Sequence, residues 1–301
     1  MEAIKSDTPS YFDAWVSTTR PKTLILSVFP FLIGTAIAAY EVTTIQWNLM
    51  VFAVFCAVCI QIGTNFINDV YDFKNKVDRP TRLGPKRGVH SGILTSSQVF
   101  LAGISCFIAA LLFGIPLVVK GGVPICLILF ASVISGYIYT AGPKPLAYNG
   151  LGELFVLIFF GLVSTASAFF FQTGFIDTKI LVVGTEIGLL ACVPIALNNL
   201  RDIEDDRRAD KKSLAVRFGK PFARVEISFL VFMPFILNLY FENFLITFLP
   251  WASLPIGFSI LKFIWNNEPS EAYNSYLVRS ILLYVCFALL LMTGIFYENS
   301  L

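Results

Sequence analysis

Two short acidic stretches contain the residue types that could do chemistry in this chain. The first follows an apolar run and contains Asn65, Asn68, Asp69 and Asp72. If the helix predicted for the apolar run continues through them, Asn65 and Asp69 are four residues apart and Asp69 and Asp72 are three apart, so they share one face. Carboxylates stacked on one face repel each other unless a proton or a cation holds them together.

The second acidic stretch reads N-N-L-R-D-I-E-D-D-R-R, and its first aspartate lies 133 residues after Asp69. Asn198, Asp202 and Asp206 recur every four residues, which again places them on one face of a helix. If the two helices pack together, their carboxylates form an oxygen-rich site for a hard cation such as Mg²⁺. Mg²⁺ at such a site binds substrate phosphates, so the pattern predicts a metal–diphosphate site. Its predicted catalytic residues are Asp69, Asp72, Asp202 and Asp206.

Basic residues near these acids could bind the phosphate oxygens. The candidates are Lys144, Arg201, Lys86 and Arg87. A competing interpretation makes the acids solvated loop charges that pair with the many Lys and Arg residues. That interpretation fits Glu204, Asp205 and Asp210, whereas the four-residue spacing and the adjoining Asn residues favour function for the others.

The composition indicates the environment in which this chemistry would occur. The chain has 301 residues, of which 56% are hydrophobic and 14% charged, and its mean hydropathy is +0.74. Soluble domains are about a quarter charged. The composition therefore predicts an all-α polytopic membrane protein, and the net charge of +2 gives no indication of a nucleic-acid partner.

Apolar runs long enough to span a bilayer, about 20 residues each, occur nine times. We predict a single transmembrane domain over residues 1–301, in which residues 1–23 form a cytoplasmic or interfacial segment before the first span. The predicted spans are 24–40, 48–67, 98–119, 122–141, 151–173, 179–198, 225–241, 244–262 and 276–297.

The Lys and Arg residues predict the orientation of these spans. With the N-terminus in the cytoplasm, 20 of the 22 Lys and Arg residues fall on the cytoplasmic side, and only Lys120 and Lys179 fall on the other. Because cytoplasmic loops carry the excess of Lys and Arg, both acidic loops are expected to be cytoplasmic. We expect a multi-pass protein of a bacterial-type inner membrane.

The motifs resemble those of the UbiA superfamily of membrane prenyltransferases. That family has an N-D-x-x-D-x-x-x-D motif after helix 2, here Asn68-Asp69-Val70-Tyr71-Asp72, and a D-x-x-x-D motif after helix 6, here Asp202 to Asp206. The position of the third acid holds Lys76, and Asp78 follows two residues later. This departure resembles one branch, the 1,4-dihydroxy-2-naphthoate polyprenyltransferases of menaquinone synthesis. Segments over residues 14–220 resemble the same branch, and residues 225–301 match only as the hydrophobic helices 7–9.

The resemblance implies a fold and a reaction. It implies nine helices around a central cavity that opens laterally to lipid, with a cytoplasmic cap formed by the loops after helices 2 and 6. The implied enzyme uses Mg²⁺ to join a polyprenyl chain from polyprenyl diphosphate to the dihydroxynaphthoate ring, with loss of diphosphate and CO₂, and no protein partner is implied. The implied metal site consists of Asn68, Asp69, Asp72, Asp78, Asp202 and Asp206, and the implied diphosphate-binding residues are Lys144, Arg201 and Arg87.

Several alternatives stay open at this point. Arg20 and Lys22 could bind the carboxylate of the acceptor or could anchor the chain at the interface. The acceptor could also be 1,4-dihydroxy-6-naphthoate or 4-hydroxybenzoate. A secondary transporter would place its charged site near the bilayer midplane, where the predicted spans are nearly free of charge and Glu186 is the main exception. A CDP-alcohol phosphotransferase would have its acids in one contiguous motif, which these acids are not.

Overall fold

The computed structural model describes residues 10–75, residue 83 and residues 88–299, which form helices and contain no β-strand. The helices are α1 (Tyr11–Thr19), α2 (Pro21–Leu24), α3 (Phe29–Ala38), α4 (Trp47–Lys74), α5 (Ser96–Ile138), α6 (Gly152–Val156), a π-helical stretch (Leu157–Val163), α7 (Ser164–Thr173), α8 (Thr178–Arg201), α9 (Ile203–Arg208), α10 (Leu214–Leu237), α11 (Phe244–Phe248), α12 (Leu254–Asn266) and α13 (Tyr273–Asn299).

Eight helical stretches of the described residues are long and apolar enough to cross a membrane, where nine were predicted. The difference lies in α5, a 43-residue helix that covers the third and fourth predicted spans. Gly122 interrupts α5 with non-helical angles, φ 67° and ψ −154°, in the left-handed region that favours glycine.

The two halves of α5 lie side by side. A Cβ built on Gly114 would meet Leu129, and one built on Gly136 would meet Phe107. Because both pairs are centred on the break at Gly122, the chain folds back there into two antiparallel limbs. Thr140, just after α5, consequently lies beside Asn68 near the end of α4, and its hydroxyl donates a 2.6 Å hydrogen bond to the Asn68 carbonyl oxygen.

The acidic stretches lie at the ends of α4 and α8, on one side of the helical bundle that we call the site face. As predicted, α4 continues through the first stretch and ends at Lys74. The second helix has a break that was not predicted, because α8 ends at Arg201 and Asp202 has φ −94° and ψ 12°. The backbone N–H groups of Asp202 and Asp206 still donate to the carbonyls of Asn198 and Asp202, four residues earlier. The helical spacing of these three residues is therefore kept across the break.

Helix α8 is the most buried of the candidate spans, and it crosses the π-helical stretch at glycines. A Cβ on Gly161 would lie 2.3 Å from the carbonyl oxygen of Gly184 and 2.5 Å from the Cα of Gly188. These are backbone atoms, so no side-chain rotation could relieve the clash. The close crossing fixes α8, and with it the second acidic stretch, against the π-helical stretch.

We predict that Gly161→Ala destabilises the protein by about 1–3 kcal/mol, the usual effect of overpacking a well-packed interior. Thermal unfolding of the purified protein in detergent measures this as a lower Tm. Gly114→Ala is the matched control, because its new methyl group meets only the side chain of Leu129. Equal Tm values for Gly161→Ala and the wild type would contradict the packing of α8 described above.

Candidate active site

A cavity of about 750 Å³ extends from the site face into the helical bundle. Along α4 its lining runs from Ala53 to Asp72, which corresponds to about 28 Å at the rise of an α-helix. One end is polar and the other, between α3, α4, α5 and α7, is apolar. The polar end is lined by Asn65, Asn68, Asp72, Asn198, Asn199, Arg201, Lys211 and Asn274, and the apolar end by Phe31, Ala53, Leu117, Ile125, Leu129 and Phe171.

The residues of the first acidic stretch are buried but do not all face the cavity. Asn65, Asn68 and Asp72 line it, whereas Asp69 does not and accepts a 3.0 Å hydrogen bond from the backbone N–H of Val89. Asp69 and Asp72 are three residues apart on α4, about 60° around the helix, so they lie near one face as predicted, but only Asp72 contributes to the cavity wall. Asp72 accepts a 2.9 Å hydrogen bond from the hydroxyl of Tyr148.

In the second acidic stretch the guanidinium of Arg201 is bound on several sides. Its Nε and Nη2 donate to the two carboxylate oxygens of Asp202 at 2.7 and 2.6 Å. Nη2 also donates to Asn198, and Nη1 donates to Asn274 on α13. Arg201 and Asp202 are both buried, so this bidentate pair satisfies both charges. Arg201 lines the cavity, whereas the predicted site residues Asp202 and Asp206 lie behind the lining residues Arg201 and Lys211 that they contact.

Lys211 is the ammonium that both acidic stretches share. Its Nζ lies 3.1 Å from both carboxylate oxygens of Asp206, and it also interacts electrostatically with Asp72 and Asp202. The backbone positions it: the Lys211 N–H donates to the carbonyl of Asp206, and the next N–H, that of Lys212, donates to the carbonyl of Tyr148. The segment after α9 therefore joins the two acidic stretches.

The charges of this group are strongly coupled. Burial raises the pKa of the Asp206 carboxyl, although the ammonium of Lys211 opposes the shift. Burial acts to lower the pKa of Lys211, but the carboxylates of Asp206, Asp72 and Asp202 outweigh it and raise the pKa. Lys211 is consequently protonated at neutral pH, and its charge offsets the repulsion between the carboxylates of Asp206, Asp72 and Asp202.

The chemistry of the oxygen donors fits a hard divalent cation. Asp72, Asp202 and Asp206 offer carboxylates, and Asn68 and Asn198 offer amide oxygens, near one end of the cavity. No group of three or more His, Cys, Asp or Glu side chains in the described part of the chain is close enough to hold a metal by itself. Mg²⁺ does not require such a group, because it usually binds through one or two carboxylates and completes its shell with water and substrate phosphates.

Of the other predicted site residues, some line the cavity and others do not. Arg20 and Lys22 line the cavity, Lys22 at an exposed position. Lys144 is exposed and does not line it. The predicted residues Asp78, Lys86 and Arg87 lie outside the residues that the structure describes.

Four residues of the site were not predicted, namely Thr140, Tyr148, Lys211 and Asn274. Asn274 accepts a hydrogen bond from Arg201 and donates one to the carbonyl of Leu83, so it links α13 to both acidic loops. Lys211 had a signal in the sequence because it follows Asp206 in the same loop, and Thr140 and Tyr148 lie in segments that resemble the family, whereas Asn274 had no such signal.

Known proteins resemble this chain in sequence and in fold. It is 35% identical to a 1,4-dihydroxy-2-naphthoate octaprenyltransferase of Haemophilus influenzae over 70% of this chain and 71% of that protein. It is 36% identical to the Mycobacterium tuberculosis protein of the same name, over 71% of this chain and 73% of that one. A UbiA homolog from Archaeoglobus fulgidus, solved with GPP and Mg²⁺, superposes with a TM-score of 0.65 at 18% identity and covers 96% of this chain and 100% of its own.

The model of the UbiA prenyltransferase family matches residues 27–284, which include every helix from α3 to α12 and both acidic stretches. This match favours an enzyme over the secondary transporter and the CDP-alcohol phosphotransferase. The cavity has a charged, polar end and a long apolar interior, and the family model matches most of the chain, so the chain is a prenyltransferase that belongs to the UbiA family.

Proposed function

We propose that this enzyme transfers a polyprenyl chain from its diphosphate to 1,4-dihydroxy-2-naphthoate, as in menaquinone synthesis. The observation that carries the proposal is the shape of the cavity, in which a charged, oxygen-rich end continues into about 28 Å of largely apolar lining. A polyprenyl diphosphate has the same division into a charged head and an apolar tail. The names of the relatives from Haemophilus influenzae and Mycobacterium tuberculosis supply the acceptor.

In the membrane, we take α5 as two spans, which gives nine. Its length of about 65 Å is twice the thickness of the hydrocarbon core, and the break at Gly122 lets it return. The site face is then cytoplasmic by the distribution of Lys and Arg. The loops after α4 and α8 form a cap over the polar end of the cavity.

The diphosphate head group binds at the polar end together with Mg²⁺, which lowers the cost of the charge that the diphosphate gains on leaving. The proposed ligands are Asp72 on the cavity wall and Asp202 with Asp206 behind it, next to Lys211, and Asn68 supplies an amide oxygen. Asp69 supports the site through the backbone N–H of Val89. Asp78 and Arg87 remain proposed members of the site from the motif alone.

Lys211 and Arg201, the two basic residues nearest the acids, have different roles in the proposed site. Arg201 already donates four hydrogen bonds within the protein, so its role is to fix Asp202 and to offer one remaining N–H toward the cavity. Lys211 has three donors and is held only through carboxylates among its described side-chain contacts. When the head group binds, the Lys211 ammonium turns from the carboxylates to the phosphate oxygens. Lys144 lies farther out and meets the head group as it enters.

The apolar part of the cavity protects the reaction from water. As the bond between the allylic carbon and the diphosphate oxygen breaks, the electron pair leaves with the diphosphate and the carbon becomes cationic. Water would quench that cation, and the apolar walls exclude it. Phe155 and Phe159 stack at 5.9 Å and line the cavity, where their faces can stabilise the positive charge.

The acceptor enters at the cavity mouth, where Arg20 and Lys22 bind its carboxylate. The electron-rich ring carbon then attacks the allylic carbon, and the carboxylate leaves as CO₂. Because the two ring hydroxyls supply the electron density, the reaction requires no strong base from the protein.

The proposed function is tested by mixing the purified protein in detergent with Mg²⁺, labelled polyprenyl diphosphate and one acceptor at a time. We expect a prenylated naphthoquinol from 1,4-dihydroxy-2-naphthoate. Product from 1,4-dihydroxy-6-naphthoate or 4-hydroxybenzoate alone would keep the enzyme class and overturn the acceptor, and no product from any of the three would overturn the reaction.

Asp72→Asn should lower turnover by a factor of about 100 or more, the usual effect of removing one preorganised charge contact from a reaction centre. The amide can still accept the hydrogen bond from Tyr148, so the fold should be kept. Initial rates with saturating substrates measure the loss. Glu204→Gln, at an exposed acid that pairs with Arg207, is the control and should leave the rate unchanged. Turnover of Asp72→Asn at the level of this control would exclude Asp72 from the site.

Lys211→Met should lower kcat/KM for the diphosphate donor by roughly 100-fold, because the head group loses its nearest cation. Lys211→Arg, which keeps the charge, should recover most of that loss. The adjacent Lys212→Met is the control, since Lys212 is exposed and pairs with Asp210 at 3.5 Å. If the two methionine variants have equal kcat/KM values and similar Tm values, Lys211 does not bind the donor.

A further inference from the structure

Two cations lie on the outer surface of the bundle, away from the cavity. Lys262 is on α12, four residues before its end, and Arg279 is on α13, six residues after its start. At 1.5 Å per residue they lie about 6 and 9 Å from the ends of their helices, on the site face. Both side chains are exposed, as are the apolar side chains of Phe258, Trp265 and Leu282 near them in sequence.

The structure brings the two cations to one groove. Arg279 Nη1 donates a 2.8 Å hydrogen bond to the hydroxyl of Ser259, which lies three residues before Lys262 on α12. Residues three apart share a helix face, so Lys262 and Arg279 both flank the groove between α12 and α13.

Arg279 is held in place rather than free in solvent. Its guanidinium lies 4.5 Å from the centre of the Tyr276 ring, and Tyr276 in turn stacks on Phe263 at 3.7 Å with an angle of 10° between the rings. Fixing a long side chain costs conformational entropy. A residue that serves only to orient a helix in the membrane would not need this arrangement, whereas a residue that presents its guanidinium to a ligand would.

Within the described part of the chain, no carboxylate pairs with either cation. Glu268, in the connection between α12 and α13, is instead held by Lys220 and Arg224 at 2.7 and 3.0 Å. Two positive charges at the edge of an apolar surface therefore lack a counter-charge from the described protein. In the proposed orientation the site face lies at a membrane surface, where the available anions are lipid phosphates.

We propose that the groove between α12 and α13 on the site face binds the head group of an anionic phospholipid such as phosphatidylglycerol. The planar guanidinium of Arg279 binds the phosphate with two N–H groups, and Lys262 adds a point charge. Phe258 and Leu282 contact the acyl chains. The site is separate from the catalytic cavity, and no step of the proposed reaction uses it.

Native mass spectrometry of the full-length protein in detergent, with equal amounts of phosphatidylglycerol and phosphatidylcholine, tests this site. We expect the wild type to retain phosphatidylglycerol preferentially. Each basic residue near a membrane surface contributes about 1 kcal/mol to binding an anionic lipid, so the double variant K262Q/R279Q should bind it about 30-fold more weakly. Equal retention by the wild type and the double variant would overturn the proposal.

Two further variants and one competition experiment test whether the lipid binds specifically at this groove. Lys262→Gln alone removes a side chain that makes no hydrogen bond or ion pair with the described residues, so it cannot disturb the fold, and it should weaken binding about fivefold. The control K120Q/K179Q removes two exposed charges from the opposite face and should leave retention unchanged. Excess inorganic phosphate should not displace the lipid; displacement would show a site for free phosphate and would overturn the lipid assignment.

Discussion

Burying several carboxylates next to an apolar cavity is unfavourable unless positive charge is buried with them, and the rest of the structure depends on how that charge is supplied. Arg201 neutralises Asp202 through two short hydrogen bonds, and Lys211 interacts with Asp206, Asp72 and Asp202 together. These contacts require the ends of α4 and α8 and the segment after α9 to meet at one place. The packing of the helices provides that meeting point.

The same arrangement explains why a reaction centre can exist here without destroying the fold. Lys211 holds the carboxylates together in the absence of a ligand, and its ammonium is also a suitable partner for a phosphate. In the proposed function, Mg²⁺ that arrives with the head group would take the place of the Lys211 ammonium beside the carboxylates, and the ammonium would then offset the charge of the phosphates. The apolar end of the cavity is lined by uncharged side chains, and in the proposed function it excludes water and holds the prenyl tail.

The sequence predicted the parts of this structure that depend on local pattern. The apolar runs and the spacing of Asn65, Asn68 and Asp72 were enough to predict a helix that carries the first acidic stretch into the site. The apolar runs at 98–119 and 122–141 predicted two spans where the structure has one helix, α5, which is interrupted at Gly122. The sequence pattern did not predict which of these side chains line the cavity. Asp69 does not line it, and its carboxylate accepts a hydrogen bond from the backbone N–H of Val89.

Contacts between distant segments could not be predicted in this way. Tyr148 and Asp72 are 76 residues apart, and Asn274 and Arg201 are 73 apart, so no spacing rule connects them. Arg201 was predicted as a ligand of diphosphate because of its charge, but its charge is used mainly on its own neighbour. Lys211 reaches the acids because the chain reverses after α9, where Asp210 has a φ of 53°. That reversal depends on the tertiary structure and has no clear signal in composition or periodicity.

In the proposed function the two acidic stretches form one site around a diphosphate. A crystal structure of the protein with an unreactive thio analogue of a prenyl diphosphate and Mn²⁺ in place of Mg²⁺ tests it most directly, since anomalous scattering locates the metal. We expect the metal between Asp72 and the Asp202–Asp206 pair, with the Lys211 ammonium on a phosphate oxygen. Metal bound elsewhere, or a Lys211 that still pairs only with Asp206 while the analogue is bound, would contradict it.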